Sequence, residues 1–350
     1  MIKIVCLMKH IIFLLFIFFM VFLNSSAKAE VIVLAAPPTH IDSYYDDDVN
    51  DIFDFHISYA KLIEKHGDHA VVLTNQEYYE DYVKELGSDK VIVVPMLDIW
   101  MRDFTILNAV KPVMFRYSAA GQGNDQDSAD EVQEIFADFA KEAGLVFSET
   151  DLINDGGNFV DDYAGNVVIS RKFLRDNQIN KSLARQKISA LTNAKRIAFV
   201  EADEQGGLEH SDGVVSFIEE NVLIINSYPE DPEYAKELKA DLESSLPGVR
   251  IYEIVTAYDD SKVYDKRFGS ACGLYTNALV TPERIYFPQF GIPEDRLALD
   301  QIKTLTKKEV VPVPSGQVCH MGGGVRCMSL QLRGENASKF LKYAQDKKKR

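Results

Sequence analysis

The chain has 350 residues, 46% of them hydrophobic, 26% charged and 11% aromatic. That mixture excludes a disordered chain, and the length excludes a mini-domain that must lean on disulfides for want of a core. Acidic residues number 53 against 38 basic ones, a net charge of −15, which disfavours nucleic acid and anionic lipid as partners and suits a cationic one.

In chain order the first feature is a leader. Lys3 and Lys9 precede thirteen consecutive apolar residues, 11–23, and Ala27-Lys28-Ala29 supplies a small-x-small site. The pattern predicts a secretory signal peptide over residues 1–29; thirteen residues fall short of the roughly twenty that a bilayer span needs. An uncleaved N-terminal anchor is the alternative. Cleavage would make Glu30 the first mature residue, leave no stable membrane insertion and, by removing three lysines, take the net charge to −18.

From residue 30 onward, short β-rich runs alternate with helical stretches. Strands are predicted over 31–36, 70–74, 90–95, 110–117, 166–170, 196–201, 222–226, 249–255, 278–280, 284–288 and 310–313. Apolar spacing near 3.6 predicts helices over 52–65, 77–86, 129–143, 183–192, 232–242, 295–305 and 337–345. Thr281-Pro282-Glu283 reads as a hairpin turn, and Asp155-Gly156-Gly157 and Gly322-Gly323-Gly324 as loops. No linker or low-complexity tract divides the chain. It therefore reads as one α/β domain over residues 30–350, built on a mixed sheet and not on a run of parallel β–α–β units, with strand–strand–helix modules recurring but no sequence repeat.

Three cysteines follow the leader: Cys272, Cys319 and Cys327. An odd number leaves at least one thiol free or paired with another molecule; a Cys272–Cys319 bridge is one of the connectivities the sequence leaves open. Neither Cys-x-x-Cys nor His-x-x-x-His spacing occurs, so nothing suggests zinc.

Polar and small residues cluster at strand ends in four segments: 99–103, 154–158, 201–213 and 322–329. Each has an ordinary structural explanation when taken alone. Trp100 could be core, Arg102-Asp103 a local ion pair, Asp155-Gly156-Gly157-Asn158 a turn, His210 a buried structural histidine and Cys327 a small hydrophobe. Together they supply a chemistry. A thiol attacks as thiolate, which a nearby imidazolium or cationic substrate stabilises. Histidine can protonate a leaving amine and then activate water. Paired carboxylates match the planar donor fork of a guanidinium, and triple glycine permits close backbone approach.

At these residues the chain resembles the agmatine deiminase and bacterial peptidylarginine deiminase family, within the guanidino-group-modifying superfamily. The resemblance rests on Trp-x-Arg-Asp (100–103), Gly-Gly-Asn (156–158), Glu-x-Asp-Glu (201–204) and His-x-Asp-Gly (210–213). It continues through Tyr-x-Asn (275–277), Pro-Gln-Phe-Gly-Ile-Pro-Glu-Asp (288–295) and Gly-Gly-Gly-x-x-Cys-x-Ser (322–329). It implies a five-bladed α/β propeller of the pentein type and hydrolysis of a guanidine to a urea and ammonia, with no metal or organic cofactor. It further implies Cys327 as nucleophile, His210 as general acid and base, and Asp103 and Asp212 as the carboxylates that grip the guanidinium. Trp100, Gly157, Asn158 and Asn277 are the implied substrate-binding residues. The implied partner is a small guanidine or an arginine-containing peptide; oligomeric state is not implied.

The chain departs from its relatives in two places. Agmatine-specific members read Arg-Asp-Thr/Ser-Gly-Pro and Asn-Ala-Trp-Gly where this chain has Arg102-Asp103-Phe104-Thr105-Ile106 and Ser118-Ala119-Ala120-Gly121. Peptidyl members carry an arginine pair near the second place, where Ala119 and Gly121 stand here. The reaction class is thus better specified than the guanidine. An amidinotransferase, or a guanidine-binding protein without turnover, are the competing readings.

Overall fold

The computed structural model describes residues 30–39, 44–107, 110–202, 207–258 and 268–348. The predicted leader, with Asp203 and Glu204 of the Glu-x-Asp-Glu motif, lies outside these.

A single mixed sheet is not what forms. The described strands make five small sheets, and each of them contains a parallel β–α–β unit. In the first, β1 (Val31–Ala35) runs through α1 (Val49–Lys65) to the parallel β2 (His69–Thr74), with α2 (Tyr79–Leu86) and β3 (Val91–Val93) beyond. In the second, β4 (Val113–Arg116) leads through α3 (Gln126–Glu142) to β5 (Ser148–Ile153). The third has β6 (Val160–Asp161) antiparallel to β7 (Asn166–Ser170), then α4 (Lys172–Asp176), α5 (Lys181–Thr192) and the parallel β8 (Arg196–Val200). The fourth repeats this with β9 (Val215–Glu219), β10 (Val222–Asn226), α6 (Pro232–Ser245) and β11 (Arg250–Ile254). The fifth does so with β12 (Leu279–Val280), β13 (Arg284–Gln289), α7 (Glu294–Leu305) and β14 (Glu309–Pro314). Finally β15 (Leu330–Leu332) pairs antiparallel with β1, so the end of the chain completes the first sheet, and α8 (Gly334–Lys348) packs beside it.

The central strands are buried on both faces, which is why they read as unbroken apolar runs and not as alternating ones. Alternation survives in which core each residue enters. Val31, Val33 and Ala35 of β1 join one hydrophobic cluster while Ile32 and Leu34 join another. Ile197 and Phe199 of β8 face a third cluster, Ala198 and Val200 a fourth. Leu223 and Ile225 of β10 share that fourth cluster, whereas Val222 and Ile224 enter a fifth. Phe287 of β13 returns to the fifth and Tyr286 to the second; Met114 of β4 lies in the first and Phe115 in the third. Each hydrophobic cluster is therefore shared by two of the sheets.

The hairpin at 281–283 forms, closed by Thr281 N–H donating to the Arg284 carbonyl at 2.8 Å. Strands β5, β6, β9 and β15 and helix α4 are additions to the predicted elements. No residue of β5 is buried, so Ser148-Glu149-Thr150-Asp151 carries no apolar alternation to read; β6 and β15 are only two and three residues long. No described helix is long and apolar enough to cross a membrane.

Cys272 and Cys319 are joined in a disulfide with their Cα atoms 4.9 Å apart. It ties the loop before β12 to the loop after β14, where Ala271 N–H also donates to the Cys319 carbonyl at 2.8 Å. Closing a loop 47 residues long restricts the unfolded chain. A Cys272→Ser/Cys319→Ser variant should therefore lose about 2–4 kcal/mol of stability in urea unfolding. An unchanged midpoint would show that the bridge adds nothing.

Candidate active site

Each of the five modules ends in a loop that crosses to the next, and these loops carry the chemistry. Trp100 and Asp103 follow β3, Asp155 and Gly157 follow β5, and His210 and Asp212 follow β8. Asn277 precedes β12 and Cys327 precedes β15. Six of these eight residues, Trp100, Asp103, His210, Asp212, Asn277 and Cys327, line a cavity of about 340 Å³ together with Tyr45, Asp98, Gln122 and Phe268.

Cys327 is the free cysteine among the described residues and is buried. Its Sγ accepts from Asn277 Nδ2 at 3.0 Å and lies 3.9 Å from Asp212 Oδ2. Burial, then the charges of Asp212 and Asp103, push the thiol well above its usual range, while the Asn277 hydrogen bond and the Arg326 charge pull the other way. In the unliganded site Cys327 is therefore a thiol.

His210 stands between carboxylates. Its Nε2 is 3.0 Å from Asp155 Oδ2, and its Nδ1 is 3.8 Å from Asp103 Oδ1. Burial opposes its charge, but Asp103, the hydrogen bond and charge of Asp155, and Asp212 outweigh that and lift the imidazole to about 9. At neutral pH His210 is an imidazolium. Burial similarly works against Asp155, yet His210 and two hydrogen bonds from Ser118 (N–H at 2.8 Å, Oγ at 2.7 Å) hold its carboxyl below the usual range. Asp103 goes the other way, raised to about 7 by burial and by its neighbours Asp155 and Asp212 against the pull of His210.

Asp103 and Asp212 are each fixed through one oxygen. Oδ1 of Asp103 accepts from Gly157 N–H at 2.9 Å, and Oδ2 of Asp212 accepts from Arg326 Nη1 at 2.7 Å. No described residue donates to the second oxygen of either. Two such half-committed carboxylates on one cavity are suited to a planar cation with several N–H donors.

Of the eight site residues that the resemblance implies, six line the cavity. Gly157 and Asn158 do not. Gly157 works through Asp103 and through the space it leaves, since a Cβ there would lie 2.5 Å from His210 Nδ1. Gly157→Ala should displace the imidazole and cost roughly 10²-fold in turnover with the fold intact; wild-type kinetics would show that the histidine's placement is not critical. Asn158 stands behind the wall, where its amide donates to Asn154 Oδ1 at 3.1 Å and accepts from Ser170 N–H at 2.7 Å. Of the three glycines before Cys327, Gly323 makes room for a side chain, not a ligand: a Cβ there would run into the Trp100 ring.

The residues of Pro-Gln-Phe-Gly-Ile-Pro-Glu-Asp do not line the cavity either. The Asp295 carboxylate holds the turn before α7 by accepting from Gly291 N–H at 2.7 Å and receives Tyr275 Oη–H at 2.8 Å, which anchors the segment bearing Asn277. Asp155 and Arg326 belong to the site although sequence reasoning does not single them out. Asp155 is visible in its segment, but nothing in the sequence pairs it with His210. Arg326 adjoins Cys327, and its partner Asp212 is 114 residues away.

The architecture is that of deiminases of known structure. The C. jejuni agmatine deiminase superposes with a TM-score of 0.71 at 17% identity, over 87% of this chain and 94% of that one. By sequence, a "Putative agmatine deiminase" of Enterococcus faecalis is 25% identical over 211 residues, and the match spans 52% of this chain and 57% of that relative. One of the same name from Selenomonas ruminantium is 24% identical over 306 residues, 72% of this chain and 79% of the relative. A profile of the Porphyromonas-type peptidyl-arginine deiminase family matches residues 23–332. The chain belongs to that family.

Proposed function

We propose that the protein hydrolyses a guanidino group to a ureido group and ammonia, with Cys327 as nucleophile. The observation that carries this reading is the convergence of Cys327, His210, Asp103 and Asp212 on one cavity from three separate loops. Family membership and the named activity of its relatives support it. The five modules are read as blades of a pentein-type propeller about that cavity, supported by their cyclic order of shared cores.

The substrate guanidinium docks against the free oxygens of Asp103 and Asp212. Its charge offsets the two carboxylates that hold the Cys327 thiol neutral, so binding the substrate favours the thiolate, and the thiol proton leaves to solvent because His210 is already protonated. Sulfur attacks the guanidinium carbon; the imidazolium of His210 protonates the departing nitrogen, and ammonia leaves. A covalent amidino-thioether remains. Neutral His210 then takes a proton from water as it attacks that carbon, the C–S bond breaks, and the ureido product departs with Cys327 restored as thiol. Trp100 and Asn277 complete the walls.

We also propose that residues 1–29 direct export and are removed. The Cys272–Cys319 bridge supports this, because disulfides persist mainly in oxidising compartments. A colorimetric ureido assay over agmatine, free arginine, and peptides with internal and terminal arginine tests the reaction. Product from at least one without added amine is expected. Consumption of the guanidine only when an amine is added, giving a new guanidine and no ureido product, would favour amidino transfer, and no consumption of any would leave a binding protein.

A further inference from the structure

Arg326 precedes the nucleophile but does not line the main cavity. Its side chain points into the protein, toward a space of about 20 Å³ shared with Arg102, Asp161 and Tyr163. Its guanidinium has two fixed partners: Nη1 donates to Asp212 Oδ2 at 2.7 Å and Nη2 to the Phe159 carbonyl at 3.0 Å. The Arg326 and Asp212 side chains are 11% and 3% exposed. The Asp212 oxygen that Arg326 holds is the one 3.9 Å from Cys327 Sγ. The Arg326 backbone N–H, in turn, donates at 3.3 Å to Oδ1 of Asn277, whose Nδ2 donates to the sulfur. One residue thus fixes both neighbours of the thiol.

Charge gives this arrangement a purpose. A thiolate at Cys327 would form beside the carboxylates of Asp212 and Asp103, with the guanidinium cations of Arg326 and Arg102 in electrostatic reach of the sulfur. Arg102 carries no ion pair to Asp212; its backbone N–H donates to the Cys327 carbonyl at 3.0 Å. Arg326 alone combines the cation with the contact. We propose that Arg326 is a positioning residue of the reaction: it holds Asp212 by one oxygen, leaves the other for the substrate, and offsets that carboxylate so that Cys327 can ionise beside it. The inference rests on the reading of Cys327 as nucleophile.

The test is the rate at which iodoacetamide alkylates Cys327 in the full chain at pH 9, followed by mass spectrometry of the Cys327 peptide. While the thiol form dominates, raising its pKa by about one lowers the thiolate fraction about tenfold. Arg326→Gln should slow alkylation at least about tenfold, and Arg326→Lys, which keeps the charge, should recover most of it. Loss of the cation strands a buried carboxylate and can unfold the protein, so Asp212→Asn and Asp212→Asn/Arg326→Gln complete the set. Asp212→Asn should alkylate about tenfold faster than wild type, and the double variant should return near the wild-type rate. A wild-type rate in Arg326→Gln, or no acceleration in Asp212→Asn, overturns the proposal. Alkylation needs no turnover, so failure of wild type to form ureido product would strike the deiminase reading and leave this result standing separately.

Discussion

Cys327→Ala should form no ureido product above background, a loss of at least about 10⁴-fold, or more than about 5 kcal/mol of transition-state stabilisation. The sulfur accepts one hydrogen bond, from Asn277, and otherwise lies beside Asp212. Its removal leaves the disulfide and the five cores untouched. Substrate should still bind in isothermal titration, because Asp103 and Asp212 keep their anchors on Gly157 and Arg326. Binding should even tighten modestly if thiol bulk crowds the guanidinium carbon. Turnover in this variant would remove Cys327 from the chemistry.

Asp155→Asn should cost about 10²–10⁴-fold in kcat, the usual worth of a positioned general acid and base. Asp155 fixes the ring by accepting at 3.0 Å from Nε2 and supplies part of the field that raises His210 to about 9. A folded value above the reference of 6.5 means that the native state holds the extra proton between the two. The stabilisation from that imidazolium is complete below 6.5 and is lost as pH rises through about 9. Activity should follow the same limb, since His210 must be protonated to release ammonia. In Asp155→Asn the alkaline limb of the pH–rate profile should move to lower pH, and the decline in thermal stability above 6.5 should be smaller and end earlier. An unmoved limb would show that Asp155 does not tune His210.

Much of the fold is legible because burial leaves marks in the sequence. Each predicted helix is present within a few residues, the apolar faces of α1 and α3 marking them plainly. The strands buried on both faces stand out as apolar runs, as in Val31–Ala35 and Val222–Asn226. What stays hidden is whatever depends on partners far along the chain. The edge strand β5 is polar, and the three-residue β15 owes its existence to β1 at the other end of the described chain. The division into five sheets is a matter of pairing that periodicity does not encode.

The site divides similarly. Cys327, His210, Asp103 and Asp212 can be picked out by residue type and order. That Asp155 braces His210, that Arg326 occupies one oxygen of Asp212, and that Asn158 is spent inside the wall are facts of geometry between separate loops.

The most direct test of the central claim is to quench the protein with acid during turnover of a guanidine and weigh the Cys327 peptide. A covalent amidino-thioether predicts a peptide heavier by the mass of the guanidine less ammonia, appearing with substrate and absent from Cys327→Ala. Ureido product formed at full rate with Cys327 never modified, or with the added mass on another residue, would contradict it.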